Sequence, residues 1–154
     1  MRHQSFQCEL DRYPFTIILN TRYGDCDMMG HINNVAYARL FEESRIQFGM
    51  ALHQSDTLNP FERKDRLMIV ATHIFYLAEL NYPSAITIGV GIVRVGNSSY
   101  TLSCGMFNEQ GACVAVNQST IASGENGKSA PISDELRQAA NRFLMNLDGV
   151  ELQG

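Results

Sequence analysis

Apolar and polar residues alternate over Phe15–Tyr23, where Phe15, Ile17, Leu19, Thr21 and Tyr23 share one face and the run stops at Gly24. A period of two predicts a first strand. Asp25–Asn33 is polar and contains Gly30, which predicts a loop, and Asn33 or Asn34 is the candidate N-cap of a helix after it. The period then changes. Tyr37, Leu40, Phe41, Ser44 and Phe48 recur at helical spacing, predicting a helix over Val35–Gly49 with Gly49 as its stop. Arg39, Glu42, Glu43 and Arg45 occupy much of the rest of that helix, and the polar stretch Leu52–Arg66 predicts a loop or irregular helix.

From Leu67 the pattern returns to strands. Leu67–Leu77 is β-rich and apolar on both faces; Ile86, Ile88, Val90 and Ile92 alternate with Thr87, Gly89, Gly91 and Val93. Gly96–Ser99 predicts a turn, Tyr100, Leu102, Cys104 and Met106 alternate again, and Asn108–Gly111 predicts a hairpin before a last strand over Ala112–Ala122. Ser133-Asp134-Glu135 opens a second helix, with Leu136, Ala139, Ala140, Phe143, Leu144 and Leu147 on one face. Five strands joined mostly by tight turns imply an antiparallel sheet. The first helix is more apolar than a surface helix needs to be, so the sheet is expected to curl around it, an α+β architecture.

A chain of 154 residues suits one domain, 1–154. In so small a core, the doubly apolar strand Leu67–Leu77 predicts further burial in a homodimer or a tetramer built from dimers. The net charge of −4 argues against a bulk basic surface for nucleic acid. No apolar run is long enough to span a membrane, and the first eight residues have no signal-peptide stretch. Cys8, Cys26, Cys104 and Cys113 are scattered without a Cys-x-x-Cys spacing, as expected of reduced thiols in a cytoplasmic protein.

The chemistry concentrates between Arg22 and Tyr37. Two carboxylates (Asp25, Asp27), one imidazole (His31) and two amides (Asn33, Asn34) lie in a loop that feeds a helix N-terminus. The first helical turn has backbone N–H groups without intrahelical acceptors and a positive dipole end, so it can hold an oxyanion. A carboxylate beside it can act as nucleophile or general base. These are the parts of acyl transfer or hydrolysis. Asp25, Asp27 and His31 are also a donor set for a carboxylate-rich metal site, but no second ligand cluster accompanies them, so no metal is expected.

Gly24-Asp25-Cys26-Asp27-x-x-Gly30 followed by His31-Ile32-Asn33-Asn34-x-x-Tyr37 resembles the signature loop of hotdog-fold acyl-CoA thioesterases of the 4-hydroxybenzoyl-CoA thioesterase type. It is also similar to the Asp…His-Val-Asn-Asn segment of plant acyl-ACP thioesterases. The resemblance covers about residues 13–147. It implies a hotdog fold, a curled five-stranded antiparallel sheet around a central helix with a C-terminal helix, and paired protomers. It implies hydrolysis of an acyl-CoA without a cofactor. Asp27 would be the catalytic carboxylate, the Asn34 N–H the oxyanion donor, and His31 the counterpart of the plant histidine. Ser98 and Ser99 match a turn that contacts coenzyme A in relatives, and Met29, Tyr37 and Phe41 are candidates to pack the acyl group. The chain departs from the plant pattern at Met29, where that pattern has Asn, and from the 4-hydroxybenzoyl type at Asn97, where basic residues stand. The alternatives are a hotdog dehydratase or hydratase and a non-catalytic acyl-CoA sensor.

Overall fold

The structure is a computed structural model that describes residues 2–54 and 66–153. Strand β1 (Phe15–Asn20) precedes the long helix α1 (Asn34–His53). After α1 come β2 (Leu67–Tyr76), β3 (Ala85–Val95), β4 (Ser99–Phe107), β5 (Cys113–Glu125), the short β6 (Lys128–Ser129) and helix α2 (Asp134–Asn141). The strands pair antiparallel in the order β1-β3-β4-β5-β2, with β6 added to the end of β5.

Alternation decides which side chains meet α1. Ile86, Ile88, Val90 and Ile92 of β3 and Leu102, Cys104 and Met106 of β4 point to the concave face. There they form one buried cluster with Ala36, Tyr37, Leu40, Phe41, Phe48 and Leu52 of α1. The sheet wrapped on a central helix is the hotdog arrangement anticipated from the loop motif. The chain ahead of β1, which carried no period, forms two short 3-10 turns, Ser5–Cys8 and Leu10–Arg12. They cover the convex face, where Phe6, Tyr13, Phe107 and Met145 make a second buried cluster. Side chains are left out of the sheet to make this possible. Gly89 and Gly105 face each other across β3 and β4, and a Cβ on either would fall within 3 Å of Tyr13.

Four boundaries differ from the sequence reading. The first strand stops at Asn20, because Tyr23–Asp25 closes a 3-10 turn in which Asp25 Oδ2 accepts the Arg22 N–H at 2.7 Å. Gly49 does not end α1; the next turn buries Leu52, and the stop is Gln54 in the left-handed region at φ 51°. The last long strand continues to Glu125 and folds back through Gly127 into β6. The second helix ends at Asn141, short of Phe143 and Leu147. Phe143–Met145 instead runs beside β3, with Ile92 N–H donating to the Phe143 carbonyl and Met145 N–H to the Ile92 carbonyl. The expected loop over Leu52–Arg66 falls largely on residues 55–65, outside the described residues. No helix among the described residues is long and apolar enough to cross a membrane.

Candidate active site

The loop from Cys26 to Asn33 is locked by its own backbone. Asp27 N–H donates to the His31 carbonyl at 2.8 Å, and Gly30 N–H to the Asp27 carbonyl at 3.1 Å, with Gly30 at φ 79°. The Asp27 side chain belongs to the same turn, since Oδ1 accepts N–H bonds from Met29 at 2.8 Å and His31 at 3.1 Å. One carboxylate oxygen is therefore held by two amides, which fixes the exposed group without removing it from solvent. Two further bonds tie this loop to the segment after β2: Ile32 N–H to the Leu80 carbonyl at 2.8 Å and Tyr82 N–H to the Gly30 carbonyl at 3.1 Å.

Helix α1 starts at this point. Asn33 is the N-cap, with Oδ1 accepting the Ala36 N–H at 2.9 Å. Asn34 is the first helical residue, and its N–H has no acceptor among the described residues. That donor, at the positive end of a 20-residue helix, is the group an oxyanion requires.

Asp27, His31, Asn34 and Tyr37 all line one cavity of about 530 Å³, open to solvent between the start of α1 and residues 76–80. The sequence signature thus converges on a single wall. The opposite wall was not anticipated. Tyr76 O–H donates to the Asn34 carbonyl at 3.3 Å, and its ring meets Tyr37 edge-on with centroids 5.2 Å apart. Tyr37 O–H donates to the Ala78 carbonyl at 3.3 Å, and burial raises its pKa above the ordinary phenol value. Glu79 Oε2 stands 3.6 Å from His31 Nε2, an ion pair whenever the imidazole is protonated. The signal for Tyr76 was its place in β2, in step with the half-buried Ile74; Glu79 carried none, since a lone acid in a loop has no period.

The other expected residues lie elsewhere. Met29 is 78% exposed at the loop tip, and Phe41 is fully buried in the core; neither lines the cavity. Ser98 closes the turn between β3 and β4 and Ser99 opens β4; Gly96 N–H donates to the Ser99 carbonyl and Ser123 N–H to the Ser98 carbonyl. Asp25 serves the 3-10 turn through the Arg22 backbone N–H. Among the described residues no group of three or more His, Cys, Asp or Glu side chains is placed to hold a metal ion.

A family model for the thioesterase-like superfamily matches residues 21–140. No curated protein sequence matches the chain. Among solved structures, the chain is similar to a predicted thioesterase from Bacillus stearothermophilus at 24% identity and a TM-score of 0.74, over 84% of this chain and 96% of that one. It is similar to the PA5185 protein from Pseudomonas aeruginosa at 26% identity and a TM-score of 0.73, over 89% and 96%. A thioesterase from Thermus thermophilus, solved with coenzyme A and zinc, matches at 20% identity and a TM-score of 0.75, over 86% and 96%. The family match runs from before the Asp27 loop through the whole of the long strands to α2, so the chain belongs to the thioesterase-like superfamily and carries its enzyme class on a hotdog fold.

Proposed function

We propose that this protein hydrolyses an acyl-CoA thioester to a free acid and coenzyme A. The observation that carries the reading is the shared cavity of Asp27 and Asn34, an amide-anchored carboxylate beside an unpaired N–H at a helix N-terminus. The coenzyme A bound to the Thermus thermophilus relative supports the choice of thiol.

The thioester carbonyl accepts the Asn34 N–H, and negative charge growing on its oxygen is favoured by the α1 dipole. Asp27 either attacks the carbonyl carbon, giving an acyl anhydride that water then cleaves, or removes a proton from an attacking water. In both routes the C–S bond breaks and the thiolate leaves. His31, with Glu79 beside it, is the group on this wall suited to protonate that thiolate. Tyr37 and Tyr76 flank the acyl group. The route calls for no cofactor.

The working unit in this reading is a homodimer, alone or doubled into a tetramer. Strand β2 ends the sheet with Met68 at 58% and Val70 at 57% exposure, an apolar edge of the kind that pairs with a second copy. The test is free-thiol release from a panel of linear and aromatic acyl-CoAs. Thiol release that scales with enzyme concentration is expected; binding of intact thioester without thiol release would reverse the conclusion in favour of a sensor.

A further inference from the structure

Along α1 and β2 the cavity at the start of α1 is followed by a second, separate one. Asn34, Ala38, Glu42, Arg45 and Gly49 succeed one another at spacings of three or four and so form one stripe of the helix. Both ends of that stripe lie beside β2. Tyr76 meets Asn34 at one end, and Leu67 and Ile69 share a cavity with Gly49 at the other.

A polar layer lies between the two cavities. Arg45 Nη1 donates to Asn117 Oδ1 at 2.7 Å. Asn117 Nδ2 in turn donates to Thr72 Oγ1 at 2.8 Å and to the His73 carbonyl at 2.9 Å, and Ser119 Oγ bonds both Asn117 and Thr72. Asn117 and Ser119 are each only 1% exposed. Among the described residues no carboxylate comes within 4.0 Å of the Arg45 guanidinium, so its anchor is this amide. Below the layer lies an apolar pocket of about 180 Å³ walled by Ile46, Phe48, Leu67, Ile69, Leu102 and Ile121, with Glu42 and Arg45 on its rim. Arg45 stands eleven residues beyond Asn34, about three turns and about 17 Å along the helix axis.

We propose that the Arg45–Asn117 layer is the floor of the acyl site, so that the enzyme takes acyl groups that end within the about 17 Å between the Asn34 N–H and Arg45 and rejects chains that reach the guanidinium. This rests on the thioesterase reading above and adds the substrate's length. An apolar chain passing the layer must strip water from a charged group or pull it off Asn117, and both are unfavourable. Without the charge, a chain reaching the apolar pocket beneath no longer meets that penalty.

The test is kcat/KM for straight-chain acyl-CoAs of increasing length, each below its micelle concentration, with wild type, Arg45→Met, Arg45→Lys and Ala38→Leu. Wild type should show a cut-off. Arg45→Met, which keeps the stem and removes the charge, should raise the ratio of long-chain to short-chain kcat/KM by about tenfold or more. Arg45→Lys should keep the wild-type cut-off, and Ala38→Leu should move it to shorter chains. A wild-type profile that stays flat to the longest chain, or a folded Arg45→Met with an unchanged cut-off, overturns the proposal. If Arg45→Met does not fold, Ala38→Leu decides, and an unchanged cut-off there overturns it equally. Absence of hydrolysis with every substrate would instead defeat the thioesterase reading. Chain-length dependence of acyl-CoA affinity, measured by calorimetry, then tests the floor by itself.

Discussion

Asp27 holds one oxygen on two loop amides and, in the function proposed, keeps the other for chemistry, a division that shapes what its replacement does. In Asp27→Asn the side-chain oxygen can still accept from Met29 and His31, so the melting temperature should stay close to wild type. Basicity and nucleophilicity are lost, and kcat should fall by roughly 10²–10⁴-fold. Asp25→Asn is the control. Its oxygen caps a 3-10 turn, so the effect on turnover should be smaller and the share in stability larger. Steady-state kinetics and thermal melts of both variants check this, and near-normal turnover in folded Asp27→Asn rejects the assignment. The loop could be read from sequence because carboxylate, imidazole and amides fall together in a few residues. Tyr76 and Glu79 could not, because only the fold brings residues 76–80 against the start of α1.

At the scale of elements, the cap on α1 links stability to the proposed oxyanion donor. Asn33→Ala removes the bond to the Ala36 N–H and should cost about 1 kcal/mol. It also frees the turn that presents the Asn34 N–H, so kcat should drop while the acyl-length profile stays as it is; denaturant melts with kinetics check both parts. The long strands were legible because alternation survives in Ile86–Ile92 and Tyr100–Met106, and the hairpin because Asn108–Gly111 has turn chemistry. Indeed Asn108 Oδ1 accepts the N–H groups of both Gln110 and Ala112. Helix ends were less legible. Gly49 looks like a stop, but the burial of Leu52 outweighs its entropic cost, which is about 1 kcal/mol. Phe143 and Leu147 keep the helical spacing, yet the pairing of Phe143–Met145 with Ile92 takes the chain out of the helix before Leu147. The N-terminal 3-10 turns have no period, because they are held one residue at a time, as where Gln7 Nε2 donates to Ser103 Oγ at 3.1 Å.

For the molecule as a whole, the apolar β2 edge leads to an expectation about assembly. Light scattering at micromolar concentration should give a dimer or tetramer mass, and Val70→Lys on that edge should shift it toward monomer and lower activity with it. A monomer mass for the wild type would remove the dimer. Activity should also survive exhaustive chelation, because the proposed route activates the electrophile with backbone N–H groups; loss restored by a divalent ion would argue for a metal. Alkali should weaken the fold. Burial pushes the Cys104 thiol up to about 12 and lifts the Tyr13 phenol well above its ordinary value. Such groups stay neutral when folded, so their contribution is whole below their unfolded pKa values, about 8.5 and 10. It declines as pH rises from each unfolded value toward the raised folded one. Melting temperature should therefore hold near neutrality and fall from about pH 9 upward, with the onset later in Cys104→Ala. Finally, the bare glycines under Tyr13 bear on how a saturation mutagenesis map of this chain would read. Alanine at Gly89 would meet the Tyr13 ring at 2.5 Å, at Gly91 the Met145 side chain at 2.5 Å, and at Gly105 the Gln7 carbonyl at 2.7 Å. Such a map would mark these three convex-face positions as intolerant as Asp27. Catalytic and architectural intolerance would separate only in a paired abundance screen, where the glycine variants vanish from the cell and Asp27→Asn accumulates as folded, inactive protein.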